Sequence, residues 1–168
     1  MIRKSFNLEF FYEIICSPRP SYSSISMSEK QLSQCAIEEA LSVIGDRWSL
    51  LVVRDVLRGI NRFDSLQESL KISRNILTQR LNHLEETGIL VKSPIKPGAK
   101  RMLYNPTPKC LALAPVLVSL MNWSAQWSGK EEASWSRIVN KKTGEPVNVD
   151  ITDKQGDSVS LMDLDIRF

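Results

Sequence analysis

Residues 73–104 read SRNILTQRLNHLEETGILVKSPIKPGAKRMLY. Within this stretch Leu77, Leu81 and Leu84 recur at the spacing of one face of an α-helix. Ser73 directly precedes the periodic residues and is a residue type that commonly caps a helix N-terminus. The stretch therefore predicts a capped helix that buries a leucine stripe and leaves its opposite side polar.

A small hairpin is predicted directly after this helix. Gly88 ends the helical pattern, since glycine adopts the left-handed conformation of many helix C-termini. Two short apolar runs at residues 89–91 and 102–104 then flank a loop rich in proline, glycine and cations, which is typical of two strands and a turn. Upstream, Lys71-Ile72 reads as the tight turn that follows a shorter helix. Short helix, turn, capped helix and hairpin is the order of a winged helix-turn-helix.

The polar side of the helix has residue types suited to duplex DNA. Arginine pairs with guanine, and asparagine or glutamine pairs with adenine, in the major groove. Arg80 lies nearer the buried edge, where it would meet a phosphate or a local carboxylate. Lysines and arginine of the predicted wing would contact phosphates. The candidate DNA-binding residues are Ser73, Arg74, Asn75, Thr78, Gln79, Arg80, Asn82, Lys96, Lys100 and Arg101.

The alternatives for these residues are an ordinary solvated helix face and an exposed lysine-bearing loop. Charge distribution favours DNA, since residues 71–101 hold seven basic and two acidic residues whereas residues 129–168 hold six basic and eight acidic. The formal net charge of the whole chain is +3.

Two further helices precede this unit, and its own short helix is the third to be predicted. One begins with Ser33 as its cap and ends at Gly45, and a second runs from about Trp48 to Arg58. The second is apolar almost all round, which is typical of a central buried helix. The third is short, with Asp64 as its expected cap.

A long helix is predicted from Lys109 to Trp127. Pro115 should kink this helix or mark a late start, because proline cannot donate the backbone hydrogen bond of a helix interior. Its wide apolar stripe includes Leu117, Leu120, Trp123 and Trp127, and a domain of this size has too little core to cover all of it. We therefore expect part of the stripe to meet a second subunit.

The ends of the chain differ from its middle. Residues 1–32 have the Ser/Pro-rich composition of a flexible arm, residues 33–128 form the predicted DNA-binding and dimerisation domain, and residues 129–168 form an extension. In the extension, Trp135–Asn140, Val147–Thr152 and Val159–Ile166 read as three short strands.

Composition excludes several classes of protein. No apolar run approaches the roughly 20 residues of a membrane-spanning helix, so we expect a cytoplasmic protein without a membrane partner. Three widely spaced cysteines form neither a disulfide framework nor a zinc pattern. His83, which reads as a solvated residue, is the only histidine. Without a legible catalytic motif we expect no enzyme, cofactor or metal site.

Cys35 is a candidate redox sensor. It falls in the first turn of the first predicted helix, where the positive end of the helix dipole favours a thiolate. Glu38 and Glu39 oppose that effect one turn later. The alternative is a small buried hydrophobic residue, as most free cysteines are.

Residues 35–127 resemble the HxlR-type winged-helix transcriptional regulators. The resemblance rests on ordered motifs: CAIEEALSVIG at residues 35–45, RWSLL at 47–51, RFDSL at 62–66, LTQRL at 77–81, LEETGIL at 84–90 and APVL at 114–117. It implies a homodimer whose N-terminal and C-terminal helices form the interface, with Leu41, Leu117, Leu120, Trp123 and Trp127 at that interface. It also implies recognition helices in successive major grooves of a palindromic operator.

Some relatives in this family use a thiol at the position that matches Cys35 to sense electrophiles or oxidants, so a small molecule of that kind is the implied effector. The wing and the TPKC segment at residues 107–110 depart from the family's common patterns. The predicted fold is mainly α with a small β wing (α+β), a winged helix-turn-helix with extra N- and C-terminal dimerisation helices and a short β-rich C-terminal tail. A homodimeric DNA-binding regulator is the expected function. The alternative is a winged-helix module for protein–protein interaction that acts through its C-terminal extension.

Overall fold

A computed structural model describes residues 35–129 and 138–165. The predicted N-terminal arm lies outside the described residues. The prediction that Ser33 caps the first helix is wrong, because Cys35 is its N-cap and has an extended backbone. The elements run in the order α1 (Ala36–Ile44), α2 (Arg47–Leu57), α3 (Phe63–Leu70), α4 (Arg74–Glu86), β1 (Leu90–Pro94), β2 (Met102–Pro106), α5 (Pro108–Leu111) and α6 (Ala114–Trp127). This mostly helical fold with one small antiparallel sheet confirms the predicted fold class. None of the helices in the described ranges is long and apolar enough to cross a membrane.

The second helix is central, as its apolar sequence predicted. Val52 and Val53 are fully buried, and Val56 is 3% exposed. The helix begins at Arg47 because the Asp46 carboxylate accepts hydrogen bonds from the backbone amides of Trp48 and Ser49, at 2.8 and 3.1 Å.

The third and fourth helices form the helix-turn-helix. Lys71 ends α3 in the left-handed conformation, with φ of 53°, and the Ser73 hydroxyl caps α4 by accepting a hydrogen bond from the Ile76 amide. The predicted Asp64 cap is wrong. The N-cap of α3 is Arg62, so Asp64 lies in the first turn. There its negative charge still interacts favourably with the positive end of the helix dipole.

The wing is a hairpin whose two strands extend beyond the apolar runs at residues 89–91 and 102–104 that predicted them. Its register pairs Leu90 with Pro106 and Pro94 with Met102. The base is joined to the helix-turn-helix because the Tyr104 amide donates to the Asn61 carbonyl oxygen at 2.8 Å. At the tip, Gly98 has φ of 77°, as a turn with proline in second place and glycine in third requires.

The predicted long C-terminal helix is broken into α5 and α6. Thr107 caps α5, and a new helix begins at Ala114 with Pro115 in its first turn. Proline is well tolerated there because the first amides of a helix have no partner within it. The late start predicted from Pro115 is therefore confirmed, and the single helix from Lys109 is corrected.

The three strands predicted in the extension are wrong for residues 138–165. This segment forms two loops, closed by single bridges between Val139 and Pro146 and between Thr152 and Ser158, and one 3-10 turn at Leu161–Asp163. Several of its β-branched side chains stay exposed: Val139 is 45%, Val149 41% and Ile151 42% exposed. Because β-propensity depends on side-chain burial, the alternating pattern did not produce a sheet.

Candidate nucleic-acid interface

The outward side of α4 is exposed where the sequence predicted it. Leu77, Leu81 and Leu84 are fully buried and hold the helix on the core. The residues that point away from that stripe are exposed: Ser73, Arg74, Asn75, Thr78, Gln79 and Asn82. A groove of DNA would therefore meet a continuous polar row on the surface of α4.

The first turn of α4 is tied to the start of α3. The Arg74 guanidinium lies over the Phe63 ring, with its Cζ atom 4.6 Å from the ring centroid. The Thr78 hydroxyl donates to the Arg74 carbonyl oxygen at 2.9 Å, which leaves its oxygen lone pairs and its methyl group outward. Both contacts order the end of the helix that a major groove would admit.

Arg80 meets a local carboxylate, one of the two partners that its position near the buried edge allowed. Its Nη1 atom lies 3.1 Å from Asp46 Oδ2. Burial raises the pKa of Asp46. Hydrogen bonds from the Ser49 side chain and from two backbone amides, together with the charge of Arg80, outweigh burial and lower that pKa overall. Arg80 therefore links α4 to the start of α2.

His83 is not the solvated residue that the sequence suggested. Its ring is half-buried, and Nε2 lies 2.9 Å from the carbonyl oxygen of Val43 in α1. The sequence offered no signal for this contact, because the two residues are 40 positions apart. His83 and Arg80 therefore both connect α4 to the junction between α1 and α2.

The wing cations differ in their availability. Lys96, Lys100 and Arg101 are exposed and form no ion pair with the residues that the structure describes. Lys92, at the wing base, instead pairs with Glu85. The hydrogen bond to that carboxylate is the main cause of the raised pKa of Lys92. The tip of the wing thus holds the positive charge available to an external phosphate.

Two residues of this region were not predicted from the sequence. Ile76 is 36% exposed beside the polar row, and its position off the leucine stripe was the available signal. Asp55 is fully buried in α2, where it accepts hydrogen bonds from Arg54 Nε at 2.8 Å and from Ser69 Oγ at 2.7 Å. The bond to Ser69 joins α2 to α3 and so supports the helix-turn-helix.

Two cysteines lie in the described ranges and have different surroundings. Cys35 is half-buried at the N-cap of α1, one position before the first turn in which it was expected. Cys110 is fully buried, and burial raises the pKa of its thiol to about 11. A thiol of that pKa holds little thiolate at neutral pH, so Cys110 is a poor nucleophile.

Two helices expose apolar side chains. The α1 face consists of Ile37 and Leu41, which are 60% and 58% exposed. The α6 face consists of Leu120, Trp123 and Trp127, which are 46%, 65% and 70% exposed. Leu117 is only half-buried and packs against the core, so it contributes less surface than the predicted stripe assumed.

The described residues hold no cluster of three or more His, Cys, Asp or Glu side chains that could bind a metal ion. What they do hold is a helix-turn-helix with an exposed polar second helix, followed by a hairpin with a cationic tip. That combination defines the winged helix-turn-helix class of DNA-binding proteins.

Comparison with known proteins identifies the family to which this chain belongs. A family model described as HxlR-like helix-turn-helix matches residues 43–132, which is more than half of the chain. The chain therefore belongs to the HxlR-like helix-turn-helix family, and it is a DNA-binding transcriptional regulator, as its named relatives are. The curated relatives it matches are named HTH-type transcriptional regulators. The family resemblance read from the sequence is confirmed.

Three relatives illustrate the similarity. YvaP of Bacillus subtilis, named an uncharacterized HTH-type transcriptional regulator, is 33% identical over 91 residues, which are 54% of this chain and 84% of YvaP. The crystal structure of PA1607, a candidate transcription factor, matches with a TM-score of 0.74 and 32% identity over 83% of this chain and 99% of PA1607. The reduced form of the regulator YodB from B. subtilis matches with a TM-score of 0.51 and 28% identity over 58% of this chain and 99% of YodB.

Proposed function

We propose that this regulator acts as a homodimer that binds a two-fold symmetric operator in a sequence-specific manner. The observation that carries the proposal is the exposed polar row of α4. Asn75, Gln79 and Asn82 are exposed and make no side-chain hydrogen bond to the part of the chain that the structure describes. The amide groups of Asn75 and Gln79 are thus available to base edges, which amide side chains recognise with two hydrogen bonds, and the amide group of Asn82 is available to a phosphate.

The proposed contacts divide into two groups. Base edges would meet Arg74, Asn75, Gln79 and Ile76, since an apolar side chain at the position of Ile76 suits the methyl group of thymine. Phosphates would meet Ser73, Thr78, Asn82, Lys96, Lys100 and Arg101, with Arg80 at the edge of the contact area. Phosphate contacts strengthen binding to every sequence, whereas base contacts select the operator.

The dimer proposal rests on the α1 face and the α6 face. Both tryptophans of the α6 face are more than half exposed, and monomeric proteins seldom leave such large apolar side chains clustered in water. To bind one operator, a dimer built on these faces would have to present both copies of α4 to the same side of the duplex. Half-sites about one helical turn apart would then be required, as in other dimeric helix-turn-helix proteins.

The proposed effector is a small electrophile or oxidant that acts on Cys35. Cys35 is the more accessible of the two described cysteines, since Cys110 is buried with a raised pKa. The similarity to a regulator whose structure was determined as a reduced form supports a thiol-linked response. Modification at the N-cap of α1 would change a helix that the proposed dimer interface includes.

A second candidate is a protein–protein module that acts through the extension. The observation that favours it is the exposed 3-10 turn, in which Leu161 and Met162 are 74% and 91% exposed. In this case removal of residues 138–168 would abolish partner binding and leave DNA binding unchanged.

Selection of bound sequences from random duplex DNA tests the first proposal. The expected result is an enriched motif with two-fold symmetry that the variant Asn75→Ala/Gln79→Ala no longer enriches. Gln155→Ala, an exposed change in the extension, is the matched control and should enrich the same motif. Enrichment of an asymmetric motif would contradict the dimeric arrangement, and the absence of any enriched motif would contradict sequence-specific binding.

A further inference from the structure

We propose that Phe63 is a positioning residue that holds the Arg74 guanidinium so that it reads one guanine in each half-site. This inference rests on the proposed function, because it requires α4 to enter a major groove. It adds a role for a residue of α3 that lies outside the polar row.

The Arg74 guanidinium lies over the face of the Phe63 ring. Arg74 Cζ lies 4.6 Å from the centroid of the Phe63 ring, within the range of an attractive cation–π contact. Phe63 is the first residue of α3 and is half-buried, whereas Arg74 is the first residue of α4 and is exposed. The ring is thus fixed by the fold and supports a side chain that reaches outward.

This contact leaves hydrogen-bond donors of the guanidinium available. The group carries five N–H donors, and a single ring cannot cover all of them. Within residues 35–129 and 138–165, the guanidinium of Arg74 makes no ion pair or hydrogen bond. Arg80, the other arginine of α4, is instead paired with Asp46.

A restrained guanidinium with open donors fits guanine well. Guanine presents O6 and N7 side by side in the major groove, and two parallel N–H donors of arginine bind both acceptors. A free arginine loses side-chain conformational entropy when it forms such a pair, and prior stacking reduces that loss. Removal of the ring should therefore weaken recognition of the guanine specifically.

The test uses the full chain and the operator obtained by selection. Each guanine of the operator is replaced in turn by 7-deazaguanine, which lacks the N7 acceptor and keeps Watson–Crick pairing, and affinity is measured by fluorescence anisotropy. We expect one guanine per half-site whose replacement weakens wild-type binding about tenfold. Arg74→Ala should lose that sensitivity, and Arg74→Lys should keep only part of it, because lysine can donate to N7 but lacks the planar fork that binds both acceptors in fixed geometry.

Phe63 is tested with two variants. Phe63→Leu should weaken binding to the intact operator about two- to fivefold, the size of an exposed cation–π contact, and should reduce the sensitivity to 7-deazaguanine. Phe63→Tyr keeps the ring and should restore both. Arg47→Ala is the matched control, because Arg47 also stacks on an aromatic ring, that of Trp48 at 4.7 Å, but belongs to α2; it should leave the 7-deazaguanine pattern unchanged.

Several results would overturn the inference. One is a folded Phe63→Leu variant that keeps full sensitivity to 7-deazaguanine. Another is an Arg74→Ala variant that binds all sequences more weakly to the same degree and with a smaller salt dependence, which would assign Arg74 to a phosphate. The absence of any selected operator would overturn the inference and the proposed function together, whereas a symmetric operator without a guanine linked to Arg74 would overturn the inference alone.

Discussion

Replacement of Trp123 by alanine should separate the proposed dimer into monomers. Trp123 is 65% exposed in the single chain. A tryptophan side chain of about 200–250 Å² would therefore leave about 130–160 Å² for a partner to cover, worth about 3–4 kcal/mol at about 25 cal/mol per Å². A two-fold interface contains the residue twice, so burial of even half of that area gives about 3–4 kcal/mol per dimer.

A change of that size is easy to measure. Because about 1.4 kcal/mol changes an equilibrium constant tenfold, the dimer dissociation constant should rise by a few hundredfold or more. Sedimentation velocity over a wide concentration range would show the wild type as a dimer where the variant is a monomer. Met162→Ser is the control, because Met162 is 91% exposed but belongs to the extension and lies outside both apolar faces.

Two outcomes would refute the assignment of the α6 face to the interface. One is a Trp123→Ala variant that dimerises over the same concentration range as the wild type. The other is a Met162→Ser variant that dissociates as readily as Trp123→Ala, since that would make the effect one of general apolar exposure. Far-UV circular dichroism of both variants checks that each retains its fold.

Three further predictions concern the wing, the thiol and the cap of α2. Lys100→Ala/Arg101→Ala should weaken binding to all DNA sequences alike and reduce the slope of log affinity against log salt by about 0.9 for each phosphate that the wing no longer neutralises; an unchanged slope would remove the wing from the interface. Cys35→Ser should bind the operator as tightly as the wild type but lose any response to the thiol oxidant diamide, and an equal response of both proteins would reject Cys35 as the sensor. Since the pKa of Asp46 is lowered in the folded chain, its charge adds stability above the unfolded-state value near pH 4 and loses that effect as the pH falls through the folded value. Asp46→Asn should therefore lower the free energy of unfolding by about 1 kcal/mol at neutral pH and leave it unchanged in acid, as measured by urea titration at several pH values.

Local patterns predicted most of the winged helix correctly. The leucine stripe of α4 and its Ser73 cap depend on neighbours within a few residues, so the sequence alone defines them. The late start at Pro115 is predictable for the same reason, because proline acts on its own backbone. The predicted cap of α3, Asp64, is only two residues from the observed cap, Arg62.

Long-range partners account for what could not be predicted. The contact of His83 with α1 and the bond between Asp55 and Ser69 join residues that only the folded chain brings together. The prediction of three strands in the extension was wrong for a related reason, because strand formation needs a neighbouring strand and a face to bury. At the candidate site the sequence identified which side of α4 is polar, but not that Phe63 supports Arg74 or that Asp46 engages Arg80.

The wing is held by contacts at its base and is exposed at its tip. Its base is secured by the buried Tyr104 and by the bond to Asn61, while its tip at residues 96–98 is exposed. Exposed loop tips accept insertions and deletions with little effect on the rest of a domain. Evolution can therefore lengthen or shorten this tip, and alter how far its cations extend along a duplex, without rebuilding the helices beneath it.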